Sequence, residues 1–218
     1  MGKFALLLHR KSSISRDGFI ADYTNVQKIP AIGERLTLHR LHASDALRAE
    51  AVGKRPQAAR CDGLTFQWHD TEEAAAELLP DSVERCDRYR VDEVVHWDNL
   101  PTRHPGQWTP GIKMIAVVRR RESVSTREFR DLYLAHANVA REHHPGVGRY
   151  VQNFVVDAAG AQAPPVDAIA ELHFPTVTDL TNHFYRDETS PKIVGADVVR
   201  FLAAKESWSV LGEEYVVG

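Results

Sequence analysis

The sequence has only two cysteines, Cys61 and Cys86, and no C-x-x-C spacing. Two cysteines cannot staple 218 residues, which excludes a disulfide-dependent scaffold. A reduced, intracellular protein is expected, with a bridge between the two thiols left open. An excess of one charge is also missing. There are 27 basic and 30 acidic residues, for a net charge of −3. That balance gives no basis for holding nucleic acid or an anionic membrane, and neither is expected as a partner. Arg119, Arg120 and Arg121 form a short basic run, but Glu122 follows, which reads as a solvated strand end.

Long apolar runs are absent too. The stretch 4–8 is too short for a signal-peptide core or a membrane span and suits a buried strand. Gly2 invites a myristoylation reading, but position 6 is Leu. The cytoplasm is the expected location. Phosphate-cradling glycine loops and the nucleophile elbow have no match. Metal-ligand spacing is also lacking. His143 lies seven residues after His136, about 10 Å along a helix, too far to share one ion. No metal is expected.

What is present is an internal repeat. With Lys3 set against Lys113, Arg10 falls on Arg120, Ser13 on Ser123, Ser15 on Ser125, Phe19 on Phe129 and Tyr23 on Tyr133. Pro30-Ala31-Ile32-Gly33 parallels Pro145-Gly146-Val147-Gly148, and Asp62-Gly63-Leu64 parallels Asp167-Ala168-Ile169. Between the copies, residues 99–111 carry three prolines and two glycines, the composition of a linker. The expected units are therefore 1–108 and 109–218.

In the second copy the apolar run 112–119 reads as a strand. Ser125 with Glu128 fits a capping box, opening a helix to about residue 142. Its stripe is Phe129, Leu132, Tyr133, His136, Ala137 and Ala140. Strands follow at 150–156 and 169–174, a helix at 176–185, a partly helical stretch at 190–204 and a closing strand at 208–217. The first copy repeats the order, with strands 4–9, 36–42, 64–69 and 90–97 and helices 16–28 and 71–79. The order βαββαβ is the ferredoxin-like unit. The fold expected is α+β: two such units packed as an intramolecular dimeric α/β barrel, each burying its bare sheet face against the other.

Several runs in the second copy resemble the EthD family of dimeric α/β-barrel proteins. They are Lys113-Met114-Ile115 leading to Arg120, Ser125 and Phe129; Tyr133-Leu134-Ala135-His136-Ala137; residues 145–153, with Arg149-Tyr150-Val151-Gln152-Asn153; and residues 167–174, ending Glu171-Leu172-His173-Phe174. The first copy matches weakly: Val26 stands at the position of His136, Arg35 at Tyr150 and Leu38 at Asn153. It reads as a degenerate copy, and the second as the one that bears the site. The resemblance implies a barrel, possession of a small-molecule substrate, and a homodimer as a further assembly. It also implies a range of cofactor-free chemistries, those of polyketide cyclases, decarboxylases, dehydratases and lactone isomerases. Haem, which related barrels bind, is the alternative to having no cofactor.

The candidate catalytic residues are His136, Glu171 and His173. His136 lies in the apolar stripe of its helix, and an imidazole with a pKa near ~6.5 exchanges protons at neutral pH. Glu171 and His173 are two apart on one strand and share a face, where a carboxylate can orient an imidazole. With His136 they would form a base, an acid and an orienting group. Tyr133, one turn before His136, is a substrate-binding candidate, as are Tyr150, Asn153 and Trp208. Tyr150 and Asn153 differ in parity, so only one of them can face a given cavity. The expected activity is a lyase, cyclase or isomerase reaction on a small hydrophobic carbonyl, aromatic or polyketide-like substrate. The alternative is a non-catalytic barrel holding a small molecule or haem.

Overall fold

A computed structural model describes residues 2–25, 35–44, 46–51, 58–69, 79–159 and 163–217. The strands are β1 (Gly2–Arg10), β2 (Arg35–Leu41), β3 (Gly63–His69), β4 (Val83–Asp98), β5 (Gln107–Trp108), β6 (Ile112–Val118), β7 (Arg149–Ala159), β8 (Ala168–Phe174) and β9 (Trp208–Val216). The helices are α1 (Arg16–Tyr23), α2 (Ala46–Ala51), α3 (Thr126–His143), α4 (Val177–Asn182) and α5 (Ser190–Val198). Seven of the eight strands expected from the apolar runs lie within three residues of their predicted bounds. The exception is β4, whose polar first half carries no strand signal. The expected helix at 71–79 and the end of the one at 16–28 lie outside the described residues. The helix expected at 176–185 stops at Asn182.

Local chemistry sets the helix starts. Ser125 accepts from the Glu128 amide at 3.2 Å, and Ser15 accepts from Gly18 at 3.0 Å. The full capping box falls on α4 instead, where Thr176 and Asp179 bond each other's amides.

The strands run β2-β3-β1-β4-β7-β8-β6-β9, and antiparallel pairing of β2 with β9 closes them into an eight-stranded barrel. Both β4–β7 and β2–β9 join the first half of the chain to the second. The short β5 adds to β9 at one rim. Alternation sorts each strand's side chains between two layers. Ala5, Leu7, Phe66, Tyr89, Ile115, Ile169 and Val210 pack inside the barrel. On the other face of the second half, Phe129, Tyr133, Tyr150, Phe154 and Phe201 pack between sheet and helices. The equivalent layer in the first half holds Phe4, Leu6, Leu8, Phe19 and Tyr23.

The linker crosses one end of the barrel and re-enters at Gly111. That residue has φ +98, and a Cβ there would sit 2.1 Å from the Phe174 carbonyl oxygen, so glycine is required. Cys61 and Cys86 are both free thiols. Among the described residues no helix is long and apolar enough to cross a membrane.

Candidate functional site

The expected trio of His136, Glu171 and His173 is not assembled. Parity places Glu171 and His173 inside the barrel, whereas His136 stands on α3 outside it. β8 lies between them, and period-2 alternation cannot present position 171 to the helix layer, which takes Ala170 and Leu172 instead. Tyr150 and Asn153 do face opposite sides. Tyr150 packs against Trp97, and Asn153 donates to Glu171 at 3.0 Å. Trp208 pairs with Val117, four residues along β6 from Lys113, whose partner in β8 is His173. It therefore stands about 13 Å from the His173 end of the barrel.

Inside the barrel, charge is matched group by group. Lys113, fully buried, donates to Glu171 at 2.8 Å, to Glu214, and approaches His39 Nε2 at 3.1 Å. Lys3 reaches Glu171 at 3.0 Å and Glu93 at 2.5 Å. Arg149 pairs with Asp98 at 3.2 Å and lies 3.7 Å from Glu171. Arg103 of the linker joins Asp98 and Glu214 at 2.9 and 3.4 Å. Burial alone would raise the Glu171 and Glu214 carboxyls, but the field of Lys113 and its neighbours outweighs it. Both are held well below the usual carboxylate range. Glu171 is thus a committed ion-pair partner rather than a proton acceptor.

His39, Glu171 and Glu214 present ligand atoms within 4.8 Å of one another, a grouping suited to a metal ion. The Lys113 ammonium touches all three and holds the centre. His173 bonds the Pro110 carbonyl at 2.8 Å, and burial followed by the Lys113 charge lowers its pKa to about 4. It makes no hydrogen bond to Glu171.

The outer layer holds a different arrangement. His136 is 7% exposed, and its Nδ1 lies 2.8 Å from Asp197 Oδ2 on α5. A carboxylate only accepts, so Nδ1 carries the proton and Nε2 keeps its lone pair. Arg200 holds the other Asp197 oxygen at 3.0 Å. The ring stacks on Tyr133 at 5.9 Å and meets the edge of Phe201 at 5.7 Å. Burial lowers the His136 pKa, and Asp197 partly restores it. Neutral imidazole therefore dominates at pH 7.

Around it, Gln152 donates to the Tyr133 carbonyl at 2.7 Å and to the Tyr150 hydroxyl at 2.9 Å. His96 stacks on Tyr150 at 5.3 Å. Burial raises the Tyr150 pKa to about 12 and that of Tyr133 further, so both phenols stay protonated donors.

Residues 121–205 match the EthD domain. The matched segment spans α3 to α5 and contains His136, Tyr150, Gln152 and Asp197. An anthrone oxidase-like protein of known structure superposes with a TM-score of 0.56 at 13% identity, covering 99% of this chain and 92% of that one. At that identity the likeness shows the fold. A proposed monooxygenase from Lactobacillus acidophilus NCFM gives a TM-score of 0.48 at 10% identity, with coverage of 100% and 94%. No curated protein matches.

Sequence reasoning missed Asp197, His96 and Gln152. Gln152 sits within the run that carries the family resemblance, but parity alone does not separate it from Tyr150. Asp197 had no signal, because α3 and α5 meet only in the fold. The charged barrel interior did leave one trace. Lys3 and Lys113 coincide in the repeat, and both are buried inside the barrel.

Proposed function

We propose that the EthD domain bears the functional site and that the protein is a cofactor-independent lyase, cyclase or isomerase. Its substrate is a small hydrophobic carbonyl, aromatic or polyketide-like compound. The observation that carries this reading is the His136–Asp197 pair beside two buried phenols. Nε2 of His136 takes a proton from the carbon next to the substrate carbonyl, and the C–H bonding pair moves into the enolate. The carbonyl oxygen gains negative charge and accepts a hydrogen bond from Tyr150, while Asp197 stabilises the imidazolium. Return of the proton to another carbon gives isomerisation. Loss of a β-leaving group gives elimination, and attack on a second carbonyl gives ring closure.

The barrel supports a second part of the proposal. Each half of the chain runs in the same strand order, β2-β3-β1-β4 and β7-β8-β6-β9, as two fused copies of one ferredoxin-like unit would. The site then belongs to residues 109–218, because the His136–Asp197 pair lies wholly within them.

The test is proton exchange into deuterated solvent at the α-carbon of small aryl ketones. The parent should catalyse exchange and His136→Ala should not, with folding unchanged by circular dichroism. Equal exchange in both proteins would remove His136 from the chemistry. A Soret band in the purified protein would overturn cofactor independence.

A further inference from the structure

The linker leaves an open cavity where it crosses the end of the barrel. It is pinned at both ends: the Asn99 amide donates to the Gly148 carbonyl at 2.8 Å, β5 pairs with β9, and the Thr109 amide donates to the Glu214 carbonyl at 2.7 Å. The segment between these anchors borders a hollow of about 200 Å³, walled by Leu100, Pro101, Pro110 and Pro175. Trp108 also lines it and is 37% exposed. Its ring is held by Tyr215 at 5.2 Å and by Arg40 at 4.6 Å. The cavity is therefore preformed, and it shares no residue with the layer around His136.

One wall is charged, because Arg103 lines the same hollow. Its Nη2 donates to Asp98 at 2.9 Å and its Nη1 to Glu214 at 3.4 Å, which uses two of the five N–H donors of a guanidinium. Those carboxylates have other cations: Arg149 holds Asp98 at 3.2 Å, and Lys113 holds Glu214. Glu214 is buried, and Asp98 borders a neighbouring hollow instead. Among the described residues, no Asp or Glu lines the cavity. A guanidinium fork facing apolar walls, with no acidic group beside it, complements a carboxylate on an apolar body. Drug-sized ligands fill about 300–1,000 Å³, so this smaller space suits a single ring. We infer that the linker cavity binds a small apolar monocarboxylate. The carboxylate sits on the Arg103 fork, and the ring lies against Trp108 and the proline walls. The site is separate from the proposed acid–base chemistry and does not rest on it.

The test is NMR titration of the full chain with three molecules that share a ring and differ in charge: cyclohexanecarboxylate, cyclohexanecarboxamide and cyclohexanemethylamine. The carboxylate should bind about 10–100-fold more tightly than the amide, the worth of a hydrogen bond to a charged group. The amine should not bind. The carboxylate should also shift the Trp108 indole N–H, identified as the signal that Trp108→Phe deletes. Arg103→Gln should bring carboxylate and amide level, whereas Trp108→Ala should weaken both and keep the carboxylate preference. If Arg103→Gln does not fold, the charge order and the Trp108 shift of the parent decide alone. A parent that binds no carboxylate, or binds carboxylate and amide equally, overturns the inference. So does a bound carboxylate that leaves the Trp108 signal in place, or a carboxylate preference that survives in Arg103→Gln.

Discussion

Nδ1 of His136 and Oδ2 of Asp197 stand 2.8 Å apart, joining helix α3 to helix α5 across 61 residues of sequence. The contact fixes the imidazole tautomer and so decides which nitrogen is basic. Asp197→Asn should keep the fold yet slow α-proton exchange about 10–100-fold, because the amide can stabilise the wrong tautomer and cannot balance an imidazolium. His136→Ala should lose about 100–10,000-fold, the range for a general base. Exchange rates at saturating ketone would decide both. Equal rates in parent and Asp197→Asn would separate Asp197 from the chemistry.

The pH dependence of the same reaction has a definite sign. Burial lowers the His136 pKa, and Asp197 opposes that shift. The rate should therefore rise with pH through an inflection below ~6.5 and be flat at neutrality. Removing the carboxylate removes the opposing effect, so in Asp197→Asn the inflection should move lower still. A shift upward would contradict the assignment.

Stability should fall on mild acidification. Burial first, then neighbouring positive charge, holds His144 and His173 at about 4 in the folded protein. In the unfolded chain both titrate near ~6.5. Between those values the unfolded state binds more protons, so stability is lost as pH drops through that window. At pH 5 each imidazole should contribute a loss of about 1–2 kcal/mol relative to pH 7. Urea unfolding at both pH values checks this, and His144→Phe should show a smaller difference than the parent.

Lys113 holds the place of a cation between three metal-ligating groups. Lys113→Ala leaves Glu171 and Glu214 buried against each other and should destabilise the fold by about 3–5 kcal/mol. Zinc added to this variant should raise its melting temperature, with His39, Glu171 and Glu214 as ligands, and should leave the parent unchanged. Adding Glu214→Gln should abolish the rescue. A zinc-insensitive Lys113→Ala protein would show that the three groups cannot close on an ion.

Gly111→Ala tests the return of the linker to the barrel. The added methyl meets the Phe174 carbonyl oxygen, and the backbone there has φ +98. A loss of about 2 kcal/mol or more is expected by thermal unfolding.

Much of the fold was legible in local pattern. Apolar runs such as Ile112–Val118 can only be buried strands, and Ser125 must open a helix, because both follow from nearest-neighbour chemistry. Strand parity correctly parted Tyr150 from Asn153 and put Glu171 with His173. The charged residues inside the barrel were harder to read. In a strand otherwise apolar, Lys113 gives no hint of whether it faces solvent or a matched carboxylate.

The sequence by itself determined the elements, their order and the two faces of each strand, since these depend on residues a few positions apart. Only the tertiary structure decided which face meets which helix. Closure of β2 on β9 turned one face into a charge-matched interior and committed Glu171 to Lys3 and Lys113. Packing of α5 on α3 gave His136 its carboxylate. Such long-range pairs obey no sequence period, because their geometry is set by how whole layers pack.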